Sequence, residues 1–390
     1  MDSEKDKPFV LFNCSTNVIG GGIKNSVVFI RHALDSEKFL WHFAISPQVA
    51  ETLEAYHLTL DHRFRIIDPS PARSRNSRIE LIKLIDKTPF IGVYTMAGPA
   101  YIETNLTHVQ GISHAFITHP RLEAFFLRPG IYHTFRRLLE TIIKAHYSLK
   151  ADFFIFQTES ARSGFCKRYH ISFNRTRVIP NAFDRELFEM PKECKNVADS
   201  SRKKIIIFCP AAAYFHKGLH FIPDIASELV KIANGLVFEF ILSLDETSVL
   251  WNVVKKRNKR LNTERFVHTI GSYNYRDSAS LYQNSTLVFV PSLLETYSAT
   301  YLEAMVARRP LIVAERPFAR EICRDAALYV EPKNSRETAM KILGLINNKE
   351  LQKRFVMNGL QVLASSIDQD QRFILIENEL SKLFNTTASS

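Results

Sequence analysis

The sequence contains no long hydrophobic run. Its longest apolar stretch, from Ile205 to Phe215, is interrupted by Pro210 and is far shorter than the ~18 residues that a membrane-spanning helix needs. The N-terminus, MDSEKDK, is polar and of mixed charge, so it lacks the positive region and apolar core of a secretory signal. We therefore expect a cytoplasmic protein, with peripheral attachment to the inner face of the cell membrane as an open alternative.

Cysteine is also scarce. The chain has only five cysteines, and they are widely spaced, odd in number and without a C-x-x-C pair. This pattern argues against a disulfide framework and against a zinc site, so we expect buried, reduced thiols. The five positions are Cys14, Cys166, Cys194, Cys209 and Cys323.

Signatures of nucleic-acid-binding modules are absent, although the net charge is +11. Without a helix-turn-helix, zinc finger or RNA-recognition motif, we expect no nucleic acid partner. A phosphate-bearing ligand or an anionic membrane surface remains as the reason for the charge. The length of 390 residues, with 46% hydrophobic and 23% charged residues, fits two soluble domains of about 150–200 residues each.

Short apolar runs alternate with longer amphipathic segments along the chain. The runs are nearly continuous in hydrophobicity, which indicates parallel strands covered by helices on both faces. Strand–helix alternation in both halves predicts two doubly wound α/β domains. The predicted strands are 9–12, 43–46, 65–67, 91–96, 115–118, 153–157 and 177–179, then 204–209, 237–243, 266–270, 286–290, 310–314 and 327–330.

The segments between the strands have helical spacing. Residues 131–149 predict a helix with six mostly apolar residues on one face, and residues 219–233 predict a second helix whose apolar residues recur at the same spacing. The charged, aperiodic stretch 188–204 predicts the linker between domains 1–187 and 205–370, and 371–390 form a final amphipathic helix and tail. The six residues on one face of the predicted helix 131–149 are Phe135, Leu138, Leu139, Ile142, Ile143 and His146.

The stretch 290–314 carries the clearest chemical pattern. A strand ends at Pro291, a short loop follows, and a helix then runs to about Ala307. Glu295 precedes this helix and Glu303 lies inside it, so the two carboxylates can face different parts of one ligand. At the helix start, the backbone amides of Ser298, Ala299 and Thr300 form a site that favours phosphate.

This stretch resembles the E-x7-E signature of the retaining glycosyltransferases of family 4, also called group 1 glycosyl transferases. Other segments resemble motifs of that family in the same order, and together they cover nearly all of residues 153–332. They are V-I-P-N-A-F-D at 178–184 with Phe188, H-K-G at 216–218, Gly271, L-Y at 281–282, V-P-S at 290–292 and E-I at 321–322.

The resemblance implies the GT-B fold, with two Rossmann-like domains facing a cleft and the C-terminal helix returning to the first domain. It implies transfer of a sugar from a nucleoside diphosphate sugar to a hydroxyl acceptor, with retention and no obligatory metal or other cofactor. Lys217, on a loop where we expect it to pack little, would stabilise the leaving diphosphate. Glu303 would hold the ribose, and Glu295 would contact the transferred sugar or the phosphates.

The chain departs from the family at two positions. Many relatives carry an arginine where this chain has Ala212 and a glycine where it has Ala182. The second cation of the phosphate clamp is therefore missing from its usual place. By family habit, the acceptor would be a glycan or lipid-linked glycan of a bacterial surface polysaccharide or lipopolysaccharide.

Three features of the first half are candidates for the same site. Gly20, Gly21 and Gly22 follow the first strand and would let a ligand approach the backbone closely. His114 and His119 flank the predicted strand 115–118, and His119, at its carboxyl end, is the preferred catalytic histidine. The turn 96–100 also follows a strand.

Five arginines cluster around residues 68–77. An exposed loop there could contact an anionic bilayer or a lipid-linked diphosphate. These residues are Arg63, Arg65, Arg73, Arg75 and Arg78.

Two other functions stay open at this point. One is a GT-B-fold epimerase that uses a nucleotide sugar without transferring it, and the other is a non-catalytic basic binding protein with a degenerate transferase fold. The nucleotide base, the sugar, the acceptor and the oligomeric state are not encoded in these motifs.

Overall fold

The chain forms two compact units in the computed structural model, which describes residues 7–119, 122–183, 204–273 and 277–387. The first domain comprises the described parts of residues 1–120, 132–181 and 369–390, and the second those of 121–131 and 182–368. The predicted linker, 188–204, lies outside the described residues except for Lys204. Asp184 and Phe188 of the family-like segment lie outside them too.

The first domain is built on a seven-stranded parallel sheet. Its strand order is β3-β2-β1-β4-β5-β6-β7, and its apolar strands are buried as their composition predicts. The strands are β1 (Phe9–Cys14), β2 (Leu40–Ile45), β3 (Phe64–Ile66), β4 (Phe90–Thr95), β5 (Thr107–Gly111), β6 (Phe153–Phe156) and β7 (Thr176–Val178).

The second domain repeats this plan with six parallel strands in the order β10-β9-β8-β11-β12-β13. All six strands were predicted from the sequence, with ends that differ by one residue or agree. They are β8 (Ile205–Cys209), β9 (Phe238–Leu242), β10 (Val267–Thr269), β11 (Leu287–Val290), β12 (Leu311–Ala314) and β13 (Ala327–Val330).

Helices connect the strands of both sheets. The fifteen α-helices of the described residues are α1 (Gly21–Leu34), α2 (Pro47–Ala55), α3 (Arg75–Lys87), α4 (Ala115–Thr118), α5 (Leu122–Phe125), α6 (Ile131–Ser148), α7 (Glu159–Tyr169), α8 (Ile222–Ile232), α9 (Val249–Leu261), α10 (Ser278–Gln283), α11 (Ala299–Val306), α12 (Pro317–Cys323), α13 (Ser335–Asn347), α14 (Lys349–Ala364) and α15 (Gln369–Thr387). None of them is long and apolar enough to cross a membrane.

One predicted strand is wrong. Residues 115–118 form the short helix α4, and the strand of this region is β5. The sequence of β5, THVQG, is polar enough to hide its strand character, yet both His108 and Gln110 are buried. Nε2 of His108 lies 2.9 Å from Oγ1 of Thr95 in the neighbouring β4, so a hydrogen bond between strands replaces the expected apolar contact.

The C-terminal helix α15 packs on the first domain, as expected. Phe373 lies against Phe29 with ring centroids 5.2 Å apart, and the Nε1–H of Trp41 donates to Glu377 at 3.4 Å. The ring of Phe384 fills the space beside Gly92 of β4, where an added Cβ would lie only 2.3 Å from it. Close packing of α15 on the sheet therefore requires glycine at position 92.

Helix α6 has the predicted bounds to within one residue, but its apolar side faces solvent. Phe135 and Ile142 are 68% and 64% exposed. The side chains that α6 buries are small, namely Thr134, Thr141, Ala145 and Ser148. A sequence pattern locates an apolar face but does not show what covers it.

The expectation of buried thiols is confirmed for four cysteines, because Cys14, Cys166, Cys209 and Cys323 are free and buried. Burial raises the pKa of Cys14 to about 12. Cys194 lies outside the described residues.

The strand order in each sheet reverses once, between β1 and β4 in the first domain and between β8 and β11 in the second. At such a reversal the connections leave in opposite directions and open a crevice at the carboxyl ends of the strands. The predicted site residues that follow β1, β8 and β11 therefore stand at these two points.

Candidate functional site in the second domain

Lys217 follows β8 in a single 3-10 turn, Phe215–Lys217. The next residue, Gly218, has a φ of 75°, and a Cβ there would lie 2.2 Å from the carbonyl oxygen of Pro291. Only glycine permits both the backbone angle and this approach. The amide of Leu293 donates to the carbonyl of His216 at 2.8 Å, so the turn after β8 is held against the loop after β11.

This contact brings the predicted lysine and the first glutamate together. Nζ of Lys217 lies 2.7 Å from Oε2 of Glu295, and the two side chains are only 19% and 7% exposed. The expectation that Lys217 packs little is therefore wrong. Burial, and after it the charge of the Glu295 carboxylate, raise the pKa of Tyr301 well above its usual value.

Helix α11 begins at Ala299, four residues after Glu295. Ser298 is its N-cap residue and is buried, but its side chain makes no capping hydrogen bond. The first amides of a helix have no partner within it, and they carry the positive end of the helix dipole. The predicted phosphate-binding segment, Ser298, Ala299 and Thr300, therefore has the expected helix-start geometry beside the Lys217–Glu295 pair.

Glu303 lies in the second turn of α11 and is half-buried. The hydroxyl of Tyr282, on α10, donates to its Oε2 at 2.8 Å. Tyr282 is fully buried, and burial followed by the Glu303 charge raises its pKa well above the usual value. The hydroxyl therefore stays protonated and orients the carboxylate. The L-Y motif marked this residue in the sequence, but its role became apparent only from the contact.

Ala212, which stands where relatives carry arginine, is exposed on the loop after β8. In the described segments of the chain, no cluster of three or more His, Cys, Asp or Glu side chains is arranged to hold a metal ion. The expectation of metal-independent chemistry stays a prediction.

Candidate residues of the first domain

The glycine segment lies at the start of α1. Gly20 has a φ of 62°, and added Cβ atoms on Gly20 or Gly21 would meet nothing within 4 Å. The side chain of Asn17 fixes the segment from below, since its Nδ2 donates to Ser26 at 2.8 Å and to the carbonyl of Met96 at 3.3 Å. Gly20 and Gly21 are exposed, which leaves room for a ligand at their backbone, and contact with a ligand stays a prediction. Asn17 was missed because a single asparagine has no motif.

His119 does not follow a strand, because residues 115–118 are helical. Its Nδ1 lies 3.0 Å from Oγ1 of Thr118. Nε2 of His114 lies 2.9 Å from Nζ of Lys144 on α6, and burial lowers the pKa of this lysine. The geometric reason for preferring His119 is therefore wrong, and its catalytic role stays a prediction.

The five clustered arginines are not all available to a partner. Arg63 pairs with Asp61 at 2.7 Å, and Arg65 pairs with Glu80. Arg78 donates to the Tyr147 hydroxyl at 2.8 Å. Arg75 begins α3 rather than lying in a loop, and the side chains of Arg73 and Arg75 are exposed.

Comparison with known proteins

The family-model match falls on the second domain. Residues 193–362 match the family model of the glycosyl transferases group 1. An uncharacterised glycosyltransferase of Methanocaldococcus jannaschii is 30% identical over 100 residues, which are 25% of this chain and 28% of that protein. The match thus spans little more than a quarter of the curated relative.

Solved structures resemble the chain over nearly its whole length. A glycosyltransferase from Rickettsia africae has a TM-score of 0.70 at 16% identity, with 97% of this chain and 99% of that chain covered. Sucrose-phosphate synthase from Thermosynechococcus elongatus has a TM-score of 0.74 at 13% identity, with 97% of this chain and 100% of that chain covered. Anabaena Alr3699/HepE in complex with UDP and glucose has a TM-score of 0.71 at 16% identity, with 95% of this chain and 99% of that chain covered. With its two parallel Rossmann-like sheets, the chain has the GT-B fold, and its residues 193–362 match the group 1 glycosyl transferases.

Proposed function

We propose that the chain is a glycosyltransferase that moves a sugar from a nucleoside diphosphate sugar to a hydroxyl acceptor, with retention of configuration. The observation that carries the proposal is the Lys217–Glu295 pair beside the start of α11. It places a cation, a carboxylate and helix-start amides at the reversal point of one sheet. That combination suits a sugar joined to a diphosphate.

Lys217 is the group that would stabilise the leaving diphosphate. An ammonium has three N–H donors, so Lys217 can hold Glu295 with one of them and a phosphate oxygen with another. Glu295 keeps the ammonium in place, and its carboxylate can contact the transferred sugar. The α11 amides would share the phosphate charge, which compensates for the missing arginine at Ala212.

Glu303 would bind the ribose. A carboxylate has two oxygens with about four lone-pair positions, and Tyr282 engages Oε2. The group can therefore accept hydrogen bonds from the two ribose hydroxyls as well.

Retention follows if the acceptor attacks on the face that the diphosphate leaves. The bond from the sugar C1 to the diphosphate oxygen breaks, and the bond from C1 to the acceptor oxygen forms on the same face. The acceptor proton passes to the departing diphosphate, whose charge Lys217 stabilises. This route needs no protein nucleophile. In the first domain, Gly21, Gly22 and His119 remain candidates for contacts with donor or acceptor.

The acceptor is proposed to be a glycan or lipid-linked glycan of a bacterial surface polysaccharide, built at the cytoplasmic face of the membrane. The resemblance to the family and the net charge of +11 support this proposal.

A thermal-shift screen with UDP, GDP, ADP and their sugars tests the donor, because a ligand that binds only the folded state raises its stability. UDP-glucose is the first donor to test, since a solved neighbour is a complex with UDP-glucose. The donor that stabilises the protein is then incubated with candidate acceptors, and the anomeric configuration of the product is read by NMR. No shift with any nucleotide would overturn the proposal. Conversion of the donor to another sugar without an acceptor would identify an epimerase instead.

A further inference from the structure

Helix α6 presents an apolar side to solvent that no described part of the first domain covers. At 3.6 residues per turn, its exposed apolar side chains fall on one continuous face, opposite in character to the small residues that it buries. The exposed residues of this face are Tyr132, Phe135, Leu138, Leu139, Ile142 and Ile143. Such a contiguous surface on a soluble domain indicates a binding partner.

Positive charge borders this face. At 3.6 residues per turn, Arg137 and Lys144 project from the opposite side of α6, so Arg136 is the cation of this helix that borders the apolar face. Arg136 lies beside the apolar face with 63% of its side chain exposed, although it pairs with Glu140 at 2.8 Å.

The basic border continues onto the neighbouring helix. Arg78 of α3 donates to the hydroxyl of Tyr147 at the end of α6, and its guanidinium lies 5.1 Å from the centre of that ring. This contact sets the start of α3, with the exposed Arg73 and Arg75, next to α6. An apolar face with a basic border is the pattern of a helix that lies in a membrane interface.

We propose that α6 docks the first domain onto an anionic phospholipid bilayer, with its apolar face among the acyl chains and its arginines at the phosphates. A helix of 18 residues is about 27 Å long, and because only one of its sides is apolar it would lie in the plane of the surface. The charge selects a bilayer over a second copy of this chain, which would face the same positive border. The inference extends the proposed lipid-linked acceptor, and its test does not use transfer activity.

Vesicle co-sedimentation of the full chain tests this proposal. The vesicles are phosphatidylcholine alone or mixed with phosphatidylglycerol, at low and moderate salt. We expect binding to the mixed vesicles that weakens with salt. The Phe135→Ser, Ile142→Ser double variant should lower the partition by about tenfold or more, because two large apolar side chains no longer leave water. Both positions are exposed, so the variant should fold.

A matched control removes apolar surface elsewhere in the same domain. The Ile374→Ser, Leu375→Ser double variant changes two exposed residues of α15 and should bind vesicles as the wild type does. The proposal is overturned if wild-type protein does not sediment with anionic vesicles at low salt, or if both double variants bind equally well. It is also overturned if sedimentation velocity shows a dimer that only the α6 variant dissociates and that ignores vesicles. Nucleotide thermal shifts of each variant report separately on the proposed function.

Discussion

Replacement of Lys217 by alanine perturbs the centre of the proposed donor site and has two separable effects. In the ligand-free protein it removes the ammonium that pairs with the Glu295 carboxylate, whose side chain is only 7% exposed. Breaking a fully buried ion pair from one side costs about 3–5 kcal/mol. Because a fifth of the Lys217 side chain is exposed, solvent screens part of the attraction between the two charges. We therefore expect the free energy of unfolding to fall by about 2 kcal/mol.

The effect on turnover should be larger. Loss of one group that stabilises developing negative charge typically costs ~10²–10³ in kcat, or about 2.7–4 kcal/mol. We expect a fall of this size in Lys217→Ala at saturating donor. Glu295→Gln, which can still accept a hydrogen bond from Lys217, should lose less stability. The double variant should be more stable than the sum of the two losses implies, but no more active.

Lys204→Ala is the matched control. Lys204 directly precedes β8 and pairs with Glu239 of the neighbouring β9 at 2.6 Å, so this ion pair lies at the opposite end of the sheet from Lys217. Its loss should leave turnover unchanged. Sugar transfer is measured from the nucleoside diphosphate that it releases, and the free energy of unfolding is measured by urea denaturation. Turnover of Lys217→Ala within about twofold of the wild type would refute the assignment of the diphosphate clamp.

Three further predictions address the neighbouring contacts and the fold. Glu303→Gln should weaken nucleoside diphosphate binding by ~1.5–3 kcal/mol, and Tyr282→Phe by ~0.5–1.5 kcal/mol, in calorimetric titrations; equal affinity to wild type in both would remove the ribose assignment. Gly92→Ala should destabilise the chain by about 1–3 kcal/mol, because its Cβ would overlap a buried ring. Gly344→Ala, in open space on a helix, should not destabilise it. Burial lowers the pKa of His108 from 6.5 to about 4, so the unfolded chain takes up the proton first, and stability should fall by about 2 kcal/mol between pH 7 and 5; His108→Gln should reduce that fall.

Much of the fold could be predicted because parallel strands are recorded as continuous apolar runs. Twelve of thirteen strands were placed in this way. The exception is β5, whose buried side chains include polar ones such as His108, which forms a hydrogen bond with the neighbouring strand. A hydrophobic pattern cannot detect such a strand. The strand predicted in its place contains Phe116 and Ile117, which are buried in a helix. A four-residue apolar segment does not distinguish the two structures.

The candidate site was partly predictable for a similar reason. Lys217 and Glu295 were each recognised from motifs, but their ion pair depends on the approach of Gly218 to Pro291, which a sequence does not show. The exposed side of α6 had the same periodicity as a core helix. Only the structure shows that small residues face the sheet and large ones face solvent.

The central claim is that the second domain binds a nucleoside diphosphate at the reversal point of its sheet. A crystal structure with the nucleotide that gives the largest thermal shift tests this most directly. It should show a phosphate oxygen within hydrogen-bond distance of Nζ of Lys217 and of the first amides of α11, with both ribose hydroxyls on Glu303. A nucleotide bound elsewhere, or one whose diphosphate contacts neither Lys217 nor α11, would contradict the claim.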